Sequence, residues 1–151
     1  LLGSWLDRFP NTSVEDPLAE DDAEGFRAFT ARYGARVQVI GDDFLVTNAE
    51  RIEKAAVARA CNAVLIKPNQ AGTITETRTA LQTAQASGMR TILSARSGET
   101  EDVTIAHLAV GWNAGQFKVG SFSRSERMAK WNEMLRIEEA MADAAASEMR
   151  T

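Results

Sequence analysis

The sequence predicts an α/β protein of about five βα units, with parallel strands alternating with helices. Two observations carry that expectation. Five apolar runs are each followed by a helical pattern. The runs are rich in Val, Ile and Leu with little polar alternation, as expected of strands buried on both faces. A third observation is local. Thr47-Asn48-Ala49-Glu50, Thr73-Ile74-Thr75-Glu76 and Ser123-Arg124-Ser125-Glu126 fit the capping-box pattern, in which a hydroxyl and a carboxylate satisfy amides left unpaired at a helix start.

Taken in order, Leu1 to Pro10 reads as the end of a helix running into a turn. A chain that opens in mid-element is expected to be a fragment or a trimmed form. The first run, Thr12-Ser13-Val14, ends at Glu15, and the second, from Val37 to Gly41, ends at Asp42. The third, Ala63 to Ile66, ends at Lys67, where Pro68 stiffens the following loop. A helix from about Thr75 stops at Ala86-Ser87-Gly88, the glycine suiting the left-handed position past a helix end. Met89 to Ala95 forms the next strand and ends at Arg96-Ser97. Gly98 permits a tight turn there, and Thr100 would cap the next helix with Glu101 and Asp102 in its first turn. The fifth run ends at Lys118. The last helix, from Ser123, would bury a stripe of Met128, Trp131, Leu135, Ile137 and Met141 before a small-residue tail that frays.

Length and composition suit one domain. The chain has 151 residues, 44% hydrophobic and 25% charged, enough for a real core and with no linker or low-complexity stretch. Its net charge of -4 gives no general attraction to nucleic acid or an anionic membrane. No run approaches the apolar length of a membrane helix and no signal peptide is visible, so the expected compartment is the cytoplasm. Cys61 is the only cysteine, which excludes an internal disulfide. It is expected to be a small buried apolar residue, and Trp5, Trp112 and Trp131 to be core or domain contacts. His107, the only histidine, falls in a helix and is expected to be exposed or satisfied by packing.

If the five runs are strands of one parallel sheet, their endings share its carboxyl edge, where such sheets place their chemistry. Two carboxylates, Glu15 and Asp42, and three cationic groups, Lys67, Arg96 and Lys118, would then face one pocket. That pattern suits handling an anion with a metal ion. Any one of these residues alone would be an ordinary solvated, capping or surface group; their joint position makes the case.

Six separated segments resemble enolase, phosphopyruvate hydratase: Val14 to Asp22, Gly41 to Asn48, Leu65 to Gly72, Ser94 to Asp102, Gly115 to Gly120, and Arg124 to Glu139. The order is right and the resemblance covers nearly the whole chain. It implies residues 1–151 are the C-terminal portion of an enolase-type TIM barrel, with the N-terminal capping domain and the first barrel strands absent. It also implies a lyase of glycolysis that dehydrates 2-phosphoglycerate reversibly to phosphoenolpyruvate with Mg²⁺. By the same resemblance, Lys67 is the general base and Lys118 contacts the substrate carboxylate. Arg96 and Ser97 hold the phosphate. Glu15 and Asp42 are metal ligands, Glu15 also lying on the substrate side, and Asp43 is a supporting residue. A homodimer is implied, with no nucleic acid or membrane partner.

The sequence departs from the family at Ala95, where the family has histidine before the Arg-Ser pair. A lysine acts as a base near neutral pH only if its neutral form is favoured, and magnesium with Lys118 would act in that direction. The third metal ligand and the general-acid glutamates would lie upstream of Leu1, so this chain alone is expected to be inactive. A divergent lyase acting on another phosphorylated carboxylate is one alternative. A non-catalytic binding protein derived from an enolase is another. The fold alternative is a flavodoxin-like module.

Overall fold

The computed structural model describes residues 1–148. Helix α1 (Leu2–Arg8) is followed by β1 (Ser13–Glu15), α2 (Ala23–Tyr33), β2 (Gln38–Gly41), α3 (Ala49–Ala58) and β3 (Ala63–Ile66). Then come α4 (Pro68–Ala71), α5 (Ile74–Ala86), β4 (Arg90–Ser94), α6 (Thr104–Gly111), β5 (Gln116–Lys118) and α7 (Ser125–Glu148). The strands form one five-stranded sheet in the order β1-β2-β3-β4-β5, the simple succession that right-handed βα units produce. Every run expected to be a strand is one.

The chain divides into two compact units, Leu1–Ile92 and the part from Leu93 onward. In the first, β1 pairs with β2 in parallel, Glu15 opposite Ile40, and β2 pairs with β3, Gly41 opposite Val64. All four residues of β2 and of β3 are buried, as their unalternating sequences require. Ile40, Ala63, Leu65 and Ile92 form a core cluster. Phe26 stacks on Phe44 with ring centroids 4.1 Å apart. Asn62 ties the amino-terminal side of β2 and β3 together. Its side chain accepts the Val39 N–H at 2.7 Å and donates to the carbonyls of Gly34 and Val37. The outermost strands, β1 and β5, are three residues long and expose their first and last positions, against the expectation of burial on both faces.

Of the three expected capping boxes, only that at Thr73 has its hydroxyl at the cap. Thr73 Oγ1 accepts the Glu76 N–H at 3.1 Å and donates to the Glu76 carboxylate. At α3 the cap is Asn48, which accepts the Arg51 N–H, because Thr47 is buried and engaged elsewhere. At α7, Ser123 bonds to Ser121 and the Arg127 N–H goes to the Arg124 carbonyl. Gly88 takes the left-handed conformation past α5, as expected, at φ 73°. Helix α6 begins later than expected, at Thr104, and Asp102 rather than Thr100 accepts the Thr104 N–H. The Thr104 N–H, followed by its hydroxyl, holds the Asp102 carboxyl below the usual carboxylate range.

The second unit contains the largest departure. In α7 the expected buried stripe is broken: Leu135 and Met141 are exposed, whereas Arg127 and Lys130 are buried. Trp131 packs edge-on to Phe117 and stacks on Phe122, with centroids 6.0 and 5.0 Å apart. Helix α7 continues through Glu148; the end of the expected fraying tail lies outside the described residues. Trp5 is also more exposed than expected, at 46%. His107 is exposed, its Nε2 3.0 Å from Glu133 Oε1. Among the described residues no helix is long and apolar enough to cross a membrane.

Cys61 is buried, as expected. Burial, followed by the negative charge of Asp16, pushes its thiol up to about 12, so the reactive thiolate is scarce at neutral pH. Peptide mapping after treatment with a thiol reagent at pH 8 should therefore find Cys61 unlabelled in the folded full-length protein and labelled in denaturant. Rapid native labelling would contradict this burial.

Candidate active site

The first unit brings Asp42 and Lys67 together. Each sits one residue past the end of its strand, β2 and β3, so adjacent parallel strands deliver them side by side. Lys67 Nζ lies 2.5 Å from Asp42 Oδ2, with the two side chains only 12% and 10% exposed. The other carboxylate oxygen, Asp42 Oδ1, is buried with no hydrogen-bond partner among the described residues. A buried anionic oxygen left unpaired is costly, and a cation is the partner that would relieve it. Glu15 ends β1 on the same edge and is exposed.

Two neighbours that the sequence reading gave no role, or a different one, hold this pair. Asp16, in the left-handed region at φ 39°, accepts the N–H groups of Asp42 and Asp43 through its two oxygens at 2.9 and 2.8 Å. Asp43 itself is exposed, its N–H serving this brace. Thr47 accepts the Lys67 N–H at 3.0 Å and donates to Gln70 Oε1 at 2.8 Å. Val46 and Thr47 both have positive φ, 45° and 53°, an uncommon conformation for β-branched residues. The turn that begins at Asp42 is thus shaped against local preference and stapled to the Lys67 backbone. Pro68, the first residue of α4, starts a helical turn directly after Lys67.

The second unit builds the other expected residues. Arg96 and Ser97 lie on a loop after β4, and Lys118 closes β5, where its carbonyl accepts the Ala95 N–H at 2.9 Å. Ala95, just past the end of β4, is buried. The loop is braced from beneath. Glu99 Oε1 accepts the Arg96 N–H at 2.6 Å, and Glu99 Oε2 lies 2.9 Å from Lys130 Nζ. Lys130 also donates to the Thr100 carbonyl at 2.7 Å, and Arg127 donates to the carbonyls of Arg96, Ser97 and Val119. Sequence reasoning missed Glu99, Arg127 and Lys130. The apolar stripe read along α7 gave no signal for Arg127 and Lys130, which lie outside it.

Among the described residues no group of three or more His, Cys, Asp or Glu side chains could hold a metal ion. Glu15 and Asp42 supply hard oxygen donors, of which Asp42 Oδ1 is uncommitted within the described residues. Carboxylate oxygens of this kind suit a hard divalent cation.

A parallel sheet carrying a buried carboxylate–lysine pair just beyond its strand ends has the layout of the carboxyl edge of a βα domain, open or barrel-like. Residues 1–150 match the family model described as enolase, C-terminal TIM barrel domain. The chain belongs to the enolase family. It is 54% identical over 145 residues to Enolase 1 of Desulfitobacterium hafniense (strain Y51), covering 96% of this chain and 33% of that protein. It is 54% identical over 140 residues to the enolase of Anaplasma marginale (strain St. Maries), covering 93% of this chain and 32% of the relative. It is 55% identical over 140 residues to the enolase of Mycobacteroides abscessus, with 93% and 33% covered. The chain spans about a third of the length of these curated relatives.

Proposed function

We propose that the full-length protein containing this chain is an enolase, a magnesium-dependent lyase of glycolysis that interconverts 2-phosphoglycerate and phosphoenolpyruvate. The observation that carries the reading is the buried Lys67–Asp42 pair with Asp42 Oδ1 uncommitted, in a chain of the enolase family. Residues 1–151 would be the later part of the barrel, with the capping domain and first strands contributed from elsewhere in the full-length protein.

In this reading Lys67 Nζ takes the proton from C2, next to the substrate carboxylate, and the C3 hydroxyl leaves as water after protonation by an acid outside this chain. Proton removal there builds negative charge on the carboxylate, and Lys118 supplies a countercharge to it. Arg96 and Ser97 hold the phosphate, the guanidinium by a two-pronged contact and the hydroxyl by one more donor. Glu15 and Asp42 would hold magnesium. When bound, the ion would add positive charge beside the substrate carboxylate and draw the charge of Asp42 away from Lys67. A homodimeric, cytoplasmic enzyme that binds neither nucleic acid nor membranes completes the proposal.

The test is the absorbance of phosphoenolpyruvate formed from 2-phosphoglycerate by the full-length protein with magnesium present. Turnover that is lost on chelation and restored by magnesium is the expected result. A folded full-length protein without turnover would overturn the reading and leave enolase as its ancestry only.

A further inference from the structure

Every polar contact of the Arg127 guanidinium described above ends on the main chain, either in the loop that carries Arg96 and Ser97 or at Val119, the residue after Lys118. Nη1 donates to the Arg96 carbonyl at 2.7 Å and to the Val119 carbonyl at 3.1 Å, and Nη2 donates to the Ser97 carbonyl at 2.9 Å. Arg127 is only 6% exposed, so these donors replace water rather than compete with it. The loop from Arg96 to Thr100 has no regular secondary structure and therefore no strand or helix ladder to fix its course. Its carbonyls instead meet a rigid planar fork. One side chain clamps the loop after β4 to the end of β5.

We infer that Arg127 is a positioning residue for anion binding: it sets the spacing between the Arg96-Ser97 pair and Lys118 without touching the ligand. The inference rests on the proposed roles of those three residues. Geometry makes arginine necessary for the clamp. A lysine ammonium at the same place keeps the charge and much of the volume, but it is a point donor on a flexible stem and cannot reproduce a planar fork bonded to three carbonyls. The neighbouring Lys130–Glu99 pair holds the far side of the same loop by way of the Arg96 N–H, so a substitution at Arg127 loosens the loop and leaves it attached.

The experiment uses the full-length protein and its Arg127→Lys variant, with inorganic phosphate as the probe in calorimetric titration and 2-phosphoglycerate in steady-state assays. The expected result is about tenfold weaker phosphate binding and a matching rise in KM, with kcat changed much less, at an unfolding temperature close to that of the parent. Phosphate binding of parent strength in Arg127→Lys overturns the inference. So does weak binding that returns to parent strength on cooling below the onset of unfolding, because Arg127 would then serve only stability. If the parent binds phosphate but does not turn over 2-phosphoglycerate, the enolase reading fails while the phosphate comparison still decides the role of Arg127. Arg96→Met measured alongside fixes the scale, since it removes the proposed direct contact; a parent-like affinity in that variant would remove the phosphate pair and overturn with it the positioning role inferred for Arg127.

Discussion

Lys67→Ala in the full-length protein is expected to lower kcat for 2-phosphoglycerate by about 100- to 10,000-fold, the range that a positioned general base supplies. Three features concentrate this effect in one atom. Lys67 Nζ is nearly enclosed, it is held 2.5 Å from Asp42, and its own amide is pinned by Thr47. Lys67 is therefore delivered by fixed backbone. Removing it also leaves the Asp42 carboxylate without its partner. For that reason the measurement pairs the rate with circular dichroism and with phosphate titration, both expected to remain near parent values because Arg96 and Ser97 are untouched. A variant that keeps a tenth or more of parent kcat would exclude Lys67 as the base.

The largest stability effect is expected at Lys130. Replacing it by methionine conserves much of the volume, but strands Glu99 and leaves the Thr100 carbonyl without its donor. Breaking a buried pair from one side costs about 3–5 kcal/mol, because the remaining charge stays desolvated and unpaired. The Glu99→Gln, Lys130→Met double variant should recover part of that loss, since no unpaired charge then remains. Urea unfolding of the full-length parent and both variants measures it. A loss below about 1 kcal/mol in Lys130→Met would mean that the pair behaves as a solvated surface contact.

The fold was legible because strand burial writes itself into composition. Short apolar stretches, Val39-Ile40 in β2, Ala63 to Ile66 in β3 and Ile92-Leu93 in β4, suit strands buried on both faces, and their polar endings mark the carboxyl edge of the sheet. The same logic placed Asp42 and Lys67 on one edge, since each follows its strand by one residue; that they pair came from the structure. Sequence patterns failed where a residue's role depends on a distant partner. Thr47 has the chemistry of a helix cap, yet it serves the Lys67 amide, 20 residues on, and Asn48 caps the helix instead. In α7, periodicity assigned Leu135 and Met141 to the interior, but they are exposed, and the buried positions go to Arg127 and Lys130, which donate to carbonyls of the loop after β4. Binary patterning counts apolar residues and cannot see such an acceptor-rich neighbour.

Glu15 and Asp16 are neighbours of equal charge, yet the turn out of β1 gives them unrelated work. Glu15 closes a strand and faces solvent, whereas Asp16 adopts a left-handed conformation that aspartate tolerates better than most residues and accepts two successive amides. Acidic residues along this edge are thus not a shared pool of negative charge from which one can be exchanged for another. Exchanging the two would preserve mass, charge and isoelectric point, properties by which most inventories of a protein would count the result unchanged. It would nonetheless place a longer side chain at the backbone position that needs the shorter one. For chains of this kind, the order of two adjacent acids carries information that composition discards.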